Sequence, residues 1–185
     1  KAENEFMHVQ CGIMDQFASV FGKENHVIFL DCDTLDYQYA PADFGEYTLL
    51  LLNTNVKHNL QTSEYNNRRN ECEAWISIIQ NKYPEVKNFR EATLEMVENL
   101  KEEMGDVVYR RSKFVVGEIS RIQELVKSLE KNDFENVGKL MTATHYGLSK
   151  DYEVSCEELD FLVDNVLLEE GVLGARVMGG GFGGC

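Results

Sequence analysis

Cys11-Gly12-Ile13-Met14-Asp15-Gln16-Phe17-Ala18-Ser19-Val20-Phe21-Gly22 opens with one carboxylate among small and apolar residues and closes on a glycine. On a helical projection Ile13, Phe17 and Val20 share one stripe, while Asp15 and Ser19 fall on the other side. Gly22 suits the position just past a helix end. Taken alone, the run reads as a short amphipathic helix carrying a solvated aspartate. An oriented carboxylate of this kind can also accept a proton from a substrate hydroxyl. The run by itself leaves both readings open.

Around it the first third of the chain is β-rich. Residues 1–10 can form a helix leading into the Cys11 turn. His26–Cys32 reads as a strand, and Asp36–Tyr39 alternates and can pair with it through a turn at Asp33-Thr34. Pro41–Gly45 reads as a loop. Tyr47–Asn53, with Leu49-Leu50-Leu51-Leu52 at its centre, reads as a buried strand.

From about residue 60 the pattern turns helical. Ser63 can cap a helix to about Gln80, with Tyr65, Cys72, Ile76 and Ile79 near one face, and Pro84 ends that region. Trp75 and its neighbours read as core. A second helix fits Thr93–Met104, and a third starts near Asp106 with Val115, Ile119, Ile122, Val126 and Leu129 at helical spacing. Asp133 can cap a fourth helix to about Thr144. Ser155 and Glu158 form a capping-box pattern for a fifth, Glu157 to about Glu169. Gly171–Met178 returns as a short strand into a glycine run. Strands first and helices after predict an α+β fold rather than a regular alternating α/β one.

Bulk properties narrow the function classes. The 185 residues carry 32 acidic against 18 basic side chains, a formal net charge of −14. That balance argues against a nucleic-acid surface or an anionic membrane surface. With 43% hydrophobic residues a sizeable core is expected. Five cysteines, at 11, 32, 72, 156 and 185, have no CxxC spacing and fit reduced thiols in a cytoplasmic protein. There is no signal peptide and no apolar run of the ~20 residues that cross a membrane. No protein partner is indicated.

Two further runs change the weight of Asp15: Ser63-Glu64-Tyr65-Asn66-Asn67-Arg68-Arg69-Asn70-Glu71-Cys72 and Gly179-Gly180-Gly181-Phe182-Gly183-Gly184-Cys185. With Cys11–Gln16, in that order, they resemble the galactokinases, a family of the GHMP kinase superfamily. Lys1–Phe6, Phe114–Ile119 and Asp151–Asp160 are similar to the same family, so the resemblance spans essentially the whole chain. It implies a two-lobed fold with the active site between lobes. Residues 1–58 would be the remainder of the N-terminal lobe and 59–185 a truncated C-terminal lobe. The chain starts on Lys inside an expected helix and stops on Cys185, and the family's phosphate-binding loop is not in it. It is therefore expected to be a fragment, inactive alone.

The activity implied is transfer of the ATP γ-phosphoryl group to the anomeric hydroxyl of α-D-galactose, with galactose and ATP as substrates. Asp15 falls on the family's catalytic-base position. Gly12 falls where the backbone approaches the sugar, and Tyr65 on a sugar-contacting tyrosine, whose ring and hydroxyl suit an amphipathic ligand. Gly179, Gly180 and Gly181 fall on a loop near sugar and phosphates. Glu3, twelve residues before Asp15, falls on the family's Mg²⁺ ligand. Met178 and His8 depart from the residues common in relatives, threonine and glycine.

Each position has a plainer reading: a half-buried helix tyrosine for Tyr65, a solvated helix carboxylate for Glu3. Arg68 and Arg69 can pair with Glu64 or with Glu71 to Glu73, or bind an anion. Gly179, Gly181 and Gly184 also match G-x-G-x-x-G, but no chain follows to build the βαβ unit that fingerprint needs. His8, His26, His58 and His145 show no ligand spacing and read as structural or solvated. Two alternatives stay open: a galactose- and ATP-binding sensor of the same fold, and a kinase for a related sugar such as N-acetylgalactosamine or arabinose.

Overall fold

The computed structural model describes residues 5–6, 11–56 and 65–185. Ser63, and all of the helix expected over 1–10 except Glu5 and Phe6, lie outside them. The element order is α1 (Met14–Phe21), β1 (His26–Leu30), β2 (Tyr37–Pro41), α2 (Tyr65–Lys82), α3 (Leu94–Asn99), α4 (Lys101–Glu130), α5 (Phe134–Tyr146) and α6 (Glu157–Val166). A helix-rich body with one small sheet is the α+β arrangement expected.

β1 and β2 are antiparallel, with Leu30 opposite Tyr37 and His26 opposite Pro41. Asp31 builds the connection: its Oδ1 accepts the N–H of Asp33 at 3.0 Å and that of Thr34 at 3.3 Å. The proline ends the ladder because it has no N–H to donate. Gly22 does terminate α1, but at φ −56°, not in a left-handed turn. A Cβ there would lie 2.7 Å from the Ala18 carbonyl oxygen, so closeness rather than chirality favours glycine.

Two expected strands are absent. Residues 47–56 form no ladder, Asn55 turns to φ 58°, and Leu49, Leu50 and Leu51 are 62%, 75% and 70% exposed. A strand exists only against a neighbour, and none of the described residues supplies one. Residues 172–178 likewise form no ladder.

The helices follow their caps. Thr93 Oγ1 accepts the N–H of Met96, and Asp133 Oδ1 that of Asn136, as N-caps do. The single helix expected over 93–104 is broken at Leu100, and the boundary expected near Asp106 is a kink inside α4 at Gly105, φ 69°. Ser155 does not cap α6: Cys156 takes that place and no side chain bonds the helix end. On α4 the expected stripe holds at Leu129 but not at Ile122, which is exposed, while Arg111, Ser112, Phe114 and Val116 are buried. α4 packs against α2 and α3 along its first half and against α5 further on, so one stripe does not describe it.

The main core lies between α2, α3 and α4: Cys72, Trp75, Ile79, Val86, Ala92, Val97, Leu100, Met104 and Val116. Trp75 is 1% exposed and packs against Phe89 in a tilted pair with ring centroids 4.5 Å apart. Burying each such large side chain contributes roughly 1.5–3 kcal/mol. A second buried group, Val137, Val154, Leu159, Val163 and Val177, lies with α5, α6 and the segment entering the glycine run.

Candidate active site

The glycine run is a closed loop. Met178 N–H donates to the Cys185 carbonyl at 3.0 Å, and Gly179, Gly181, Gly183 and Gly184 all have positive φ, a conformation that glycine alone adopts freely. Two anchors hold it from outside. Phe182 N–H donates to the Val154 carbonyl at 2.7 Å, and the Thr54 N–H and hydroxyl both donate to the Gly184 carbonyl, at 2.9 and 2.8 Å. At Gly181 a Cβ would lie 2.0 Å from the Val154 oxygen, so any side chain there would push the loop off its support.

Tyr65, half-buried, is the first residue of α2. One turn on, the buried Arg68 donates from Nε to the Tyr152 carbonyl at 3.0 Å and from a terminal nitrogen to that of Glu153 at 3.2 Å. The next carbonyl, that of Val154, takes the Phe182 amide. The helix that begins with Tyr65 and the glycine loop therefore rest on the same three residues, 152–154.

Charge reinforces this frame. Arg111 on α4 bridges Glu71 of α2 and Glu153, and Arg110 donates to the Asp151 carbonyl at 2.9 Å and pairs with Glu153 at 3.2 Å. The hydrogen bond from Arg111 holds the Glu153 carboxyl below the usual carboxylate range, burial opposes it, and Arg110 adds to the lowering. A depressed carboxylate contributes stability that is complete above its unfolded pKa, about 4.3 for glutamate, and is lost as pH falls through the folded value. Urea midpoints measured against pH should show this loss in acid, and Arg111→Met should flatten that part of the curve.

Arg68 and Arg69 do make the ion pairs anticipated, with Glu71 at 3.6 Å and Glu73 at 3.4 Å. The grip of Arg68 on two carbonyls more than eighty positions away was not legible, because nothing local in the sequence marks it.

Asp15 lies on α1. α1 is seated on the hairpin by an aromatic cluster, Phe17 on Phe21 at 4.4 Å and each on Tyr37 at 5.3 Å, and the Tyr39 hydroxyl donates to the Phe21 carbonyl at 2.7 Å. Asp15, in the first turn, is exposed, and among the described residues its carboxylate has no hydrogen-bond or ion-pair partner. A Cβ on Gly12 would meet nothing within 4 Å. The structure thus joins the Tyr65 helix to Gly179–Gly181, but it does not bring Asp15 or Gly12 against either. Glu3 lies outside the described residues, among which no group of three or more His, Cys, Asp or Glu could hold a metal. No described helix is long and apolar enough to cross a membrane.

Comparison with known proteins fits this architecture. Residues 125–185 match the family described as GHMP kinases C terminal. Over its whole length the chain is similar to galactokinases: 48% identical over 184 residues to that of Thermotoga maritima, covering 50% of that protein, and 44% identical to that of Clostridium tetani, covering 47%. The chain spans about half the length of the curated relatives it matches. It also superposes on the crystal structure of Lactococcus lactis galactokinase complexed with galactose, TM-score 0.91 and 34% identity, over 98% of this chain and 47% of that one.

Proposed function

We propose that this chain is the part of a galactokinase that contributes the proton acceptor, a sugar-facing tyrosine and the glycine loop. The complete enzyme transfers the γ-phosphoryl group of ATP to the anomeric hydroxyl of α-D-galactose. Similarity to galactokinases from one end of the chain to the other carries the reading. The shared 152–154 support beneath the Tyr65 helix and the glycine loop agrees with it, since two substrate-facing elements must keep a fixed distance.

In this reading residues 1–58 belong to one lobe and 59–185 to the other, with galactose and ATP between them. Apolar surface on Met14, Val20 and Leu49–Leu52 supports a cover from elsewhere in a longer protein, which would also enclose Asp15. The five free cysteines support a reducing, cytoplasmic compartment.

Chemically, a sugar hydroxyl is a weak nucleophile at neutral pH. The Asp15 carboxylate accepts its proton as the new O–P bond forms, while the bond between the γ-phosphorus and the bridging oxygen breaks and ADP leaves. Gly12 leaves room for the sugar beside that carboxylate. Tyr65 packs its ring on the sugar and hydrogen-bonds the polar edge, and Gly179–Gly181 approach the sugar and phosphates without side chains. Magnesium on the nucleotide supplies charge neutralisation when bound, with Glu3 as its protein ligand.

The test is to incubate the full-length protein with ATP and a panel of galactose, N-acetylgalactosamine and arabinose, and to locate the phosphate by NMR. Galactose 1-phosphate as the principal product is expected; failure to phosphorylate galactose overturns the reading. In the same protein Tyr65→Phe should raise the KM for galactose several-fold with a small change in kcat. A shift in thermal midpoint alone would make Tyr65 structural.

A further inference from the structure

Residues 172–178, which lead into the glycine loop, lack a strand neighbour among the described residues, and α5 does that neighbour's work. Gly138, Thr142 and His145 lie on one face of α5 at i, i+4 and i+7. At Gly138 the backbone of Leu173 and Gly174 touches the helix: a Cβ would lie 2.1 Å from the Leu173 oxygen. Thr142 Oγ1 then accepts the Ala175 N–H at 3.2 Å, and His145 Nδ1 accepts the Val177 N–H at 3.3 Å. The two donating amides, Ala175 and Val177, are two positions apart, the spacing at which a strand presents one face. The helix thus offers one side-chain acceptor for each inward amide.

The second acceptor depends on which ring nitrogen carries the proton. Because Nδ1 accepts, a neutral ring has its hydrogen on Nε2. That nitrogen and Asp160 Oδ1 of α6 are both buried without a hydrogen-bond partner, and they face each other at 3.4 Å. The other oxygen, Asp160 Oδ2, accepts from the Ser149 hydroxyl at 2.6 Å and from Lys150 at 3.2 Å. His145 is 0% and Val177 1% exposed, so water does not compete for the bond between the Val177 amide and Nδ1. Burial pushes the imidazolium down, against Asp160 and Asp164, with Arg176 and Lys150 adding to the lowering. The chain runs Asp160, His145, Val177 amide, and two residues further on the first glycine.

We propose that His145 and Asp160 are positioning residues for the glycine loop: Asp160 holds the ring as the Nε2–H tautomer, and the ring's Nδ1 sets the Val177 amide and with it the place at which Gly179–Gly181 meet the substrate. This rests on the reading that the loop faces substrate. A wrong tautomer would turn the acceptor into a donor against the Val177 N–H, and the loop would lose its inner anchor while keeping those at Val154 and Thr54.

Three variants of the full-length protein separate positioning from mere support. Asparagine at 145 keeps an acceptor where Nδ1 was, glutamine keeps a donor toward Asp160 but no acceptor at Val177, and alanine keeps neither. His145→Asn should retain slow hydrogen exchange at the Val177 amide and a kcat within a few-fold of wild type. His145→Gln and His145→Ala should expose that amide and lower kcat by about tenfold or more, as small misplacements of a reacting geometry do. KM for galactose should change less than kcat. If alanine does not fold, the asparagine and glutamine pair decides. Two results would overturn the proposal: Val177 exchange equal in all variants, or a kcat that follows the thermal midpoint regardless of exchange. A wild-type ring protonated at Nδ1 by nitrogen NMR would do the same. Should the wild type phosphorylate no sugar, the functional reading fails separately, while amide exchange and the tautomer still decide this one.

Discussion

Gly138→Ala is expected to destabilise the full-length protein by about 4 kcal/mol or more, at the upper end of single substitutions. The added Cβ would lie 2.1 Å from the Leu173 carbonyl oxygen, 2.4 Å from its carbon and 2.8 Å from the Leu173 Cβ. These are mainly backbone atoms and cannot rotate away as the tip of a lysine would. Relief requires α5 to separate from residues 173–177, which also stretches the Thr142–Ala175 and His145–Val177 bonds. Gly174→Ala is the reciprocal case, its Cβ falling 2.1 Å from the Gly138 oxygen. Both substitutions open one crossing, so the double variant should cost little more than the worse single one, a clear departure from additivity. Gly117→Ala supplies the contrast: it lies within α4, with nothing within 4 Å of its added methyl, and should stabilise the protein by up to about 1 kcal/mol. Urea unfolding midpoints measure all four. A loss at Gly138 or Gly174 below about 1 kcal/mol would mean that the crossing is looser than described.

Asp15→Asn should lower kcat of the full-length enzyme by roughly 10²–10⁴, the usual range for a general base, with a much smaller change in KM for galactose. Asparagine keeps the shape of aspartate and one acceptor oxygen, but its other terminal group is an NH2 donor and it cannot take up a proton. The fold makes this a clean experiment. In this chain Asp15 is exposed in the first turn of α1, and its carboxylate has no partner among the described residues, so its loss should shift the stability of these 185 residues by no more than about 0.5 kcal/mol, and a thermal midpoint of the full-length variant completes the control. Any large fall in turnover would then be chemical. Near-normal turnover would remove Asp15 from the role.

The helical body was legible because its signals are local. Thr93 and Asp133 start helices where capping rules put them, Pro84 follows the end of α2, and Trp75 sits in the core. What failed were features that depend on something distant. Leu49–Leu52 and residues 172–178 have strand composition, but a ladder needs a partner, and residue type cannot say who provides it. Ser155 and Glu158 match a capping pattern, yet the chain enters α6 one residue later, at Cys156.

The candidate site divides the same way. Asp15, Tyr65 and the glycines stood out through resemblance, not periodicity, and Arg68 offered only a local ion pair or an anion contact. It makes that pair and also supports residues 152–153, a contact between chain segments without any spacing in common. His145 shows no ligand spacing because its partners, Asp160 and the Val177 amide, lie on another helix and on a returning segment.

The most direct test of the account is a crystal structure of the full-length protein with galactose bound. The account predicts an Asp15 carboxylate oxygen about 2.6–3.2 Å from the anomeric oxygen, with the sugar between Tyr65 and Gly179–Gly181. A bound galactose lying away from Asp15, with that carboxylate facing solvent, would contradict it.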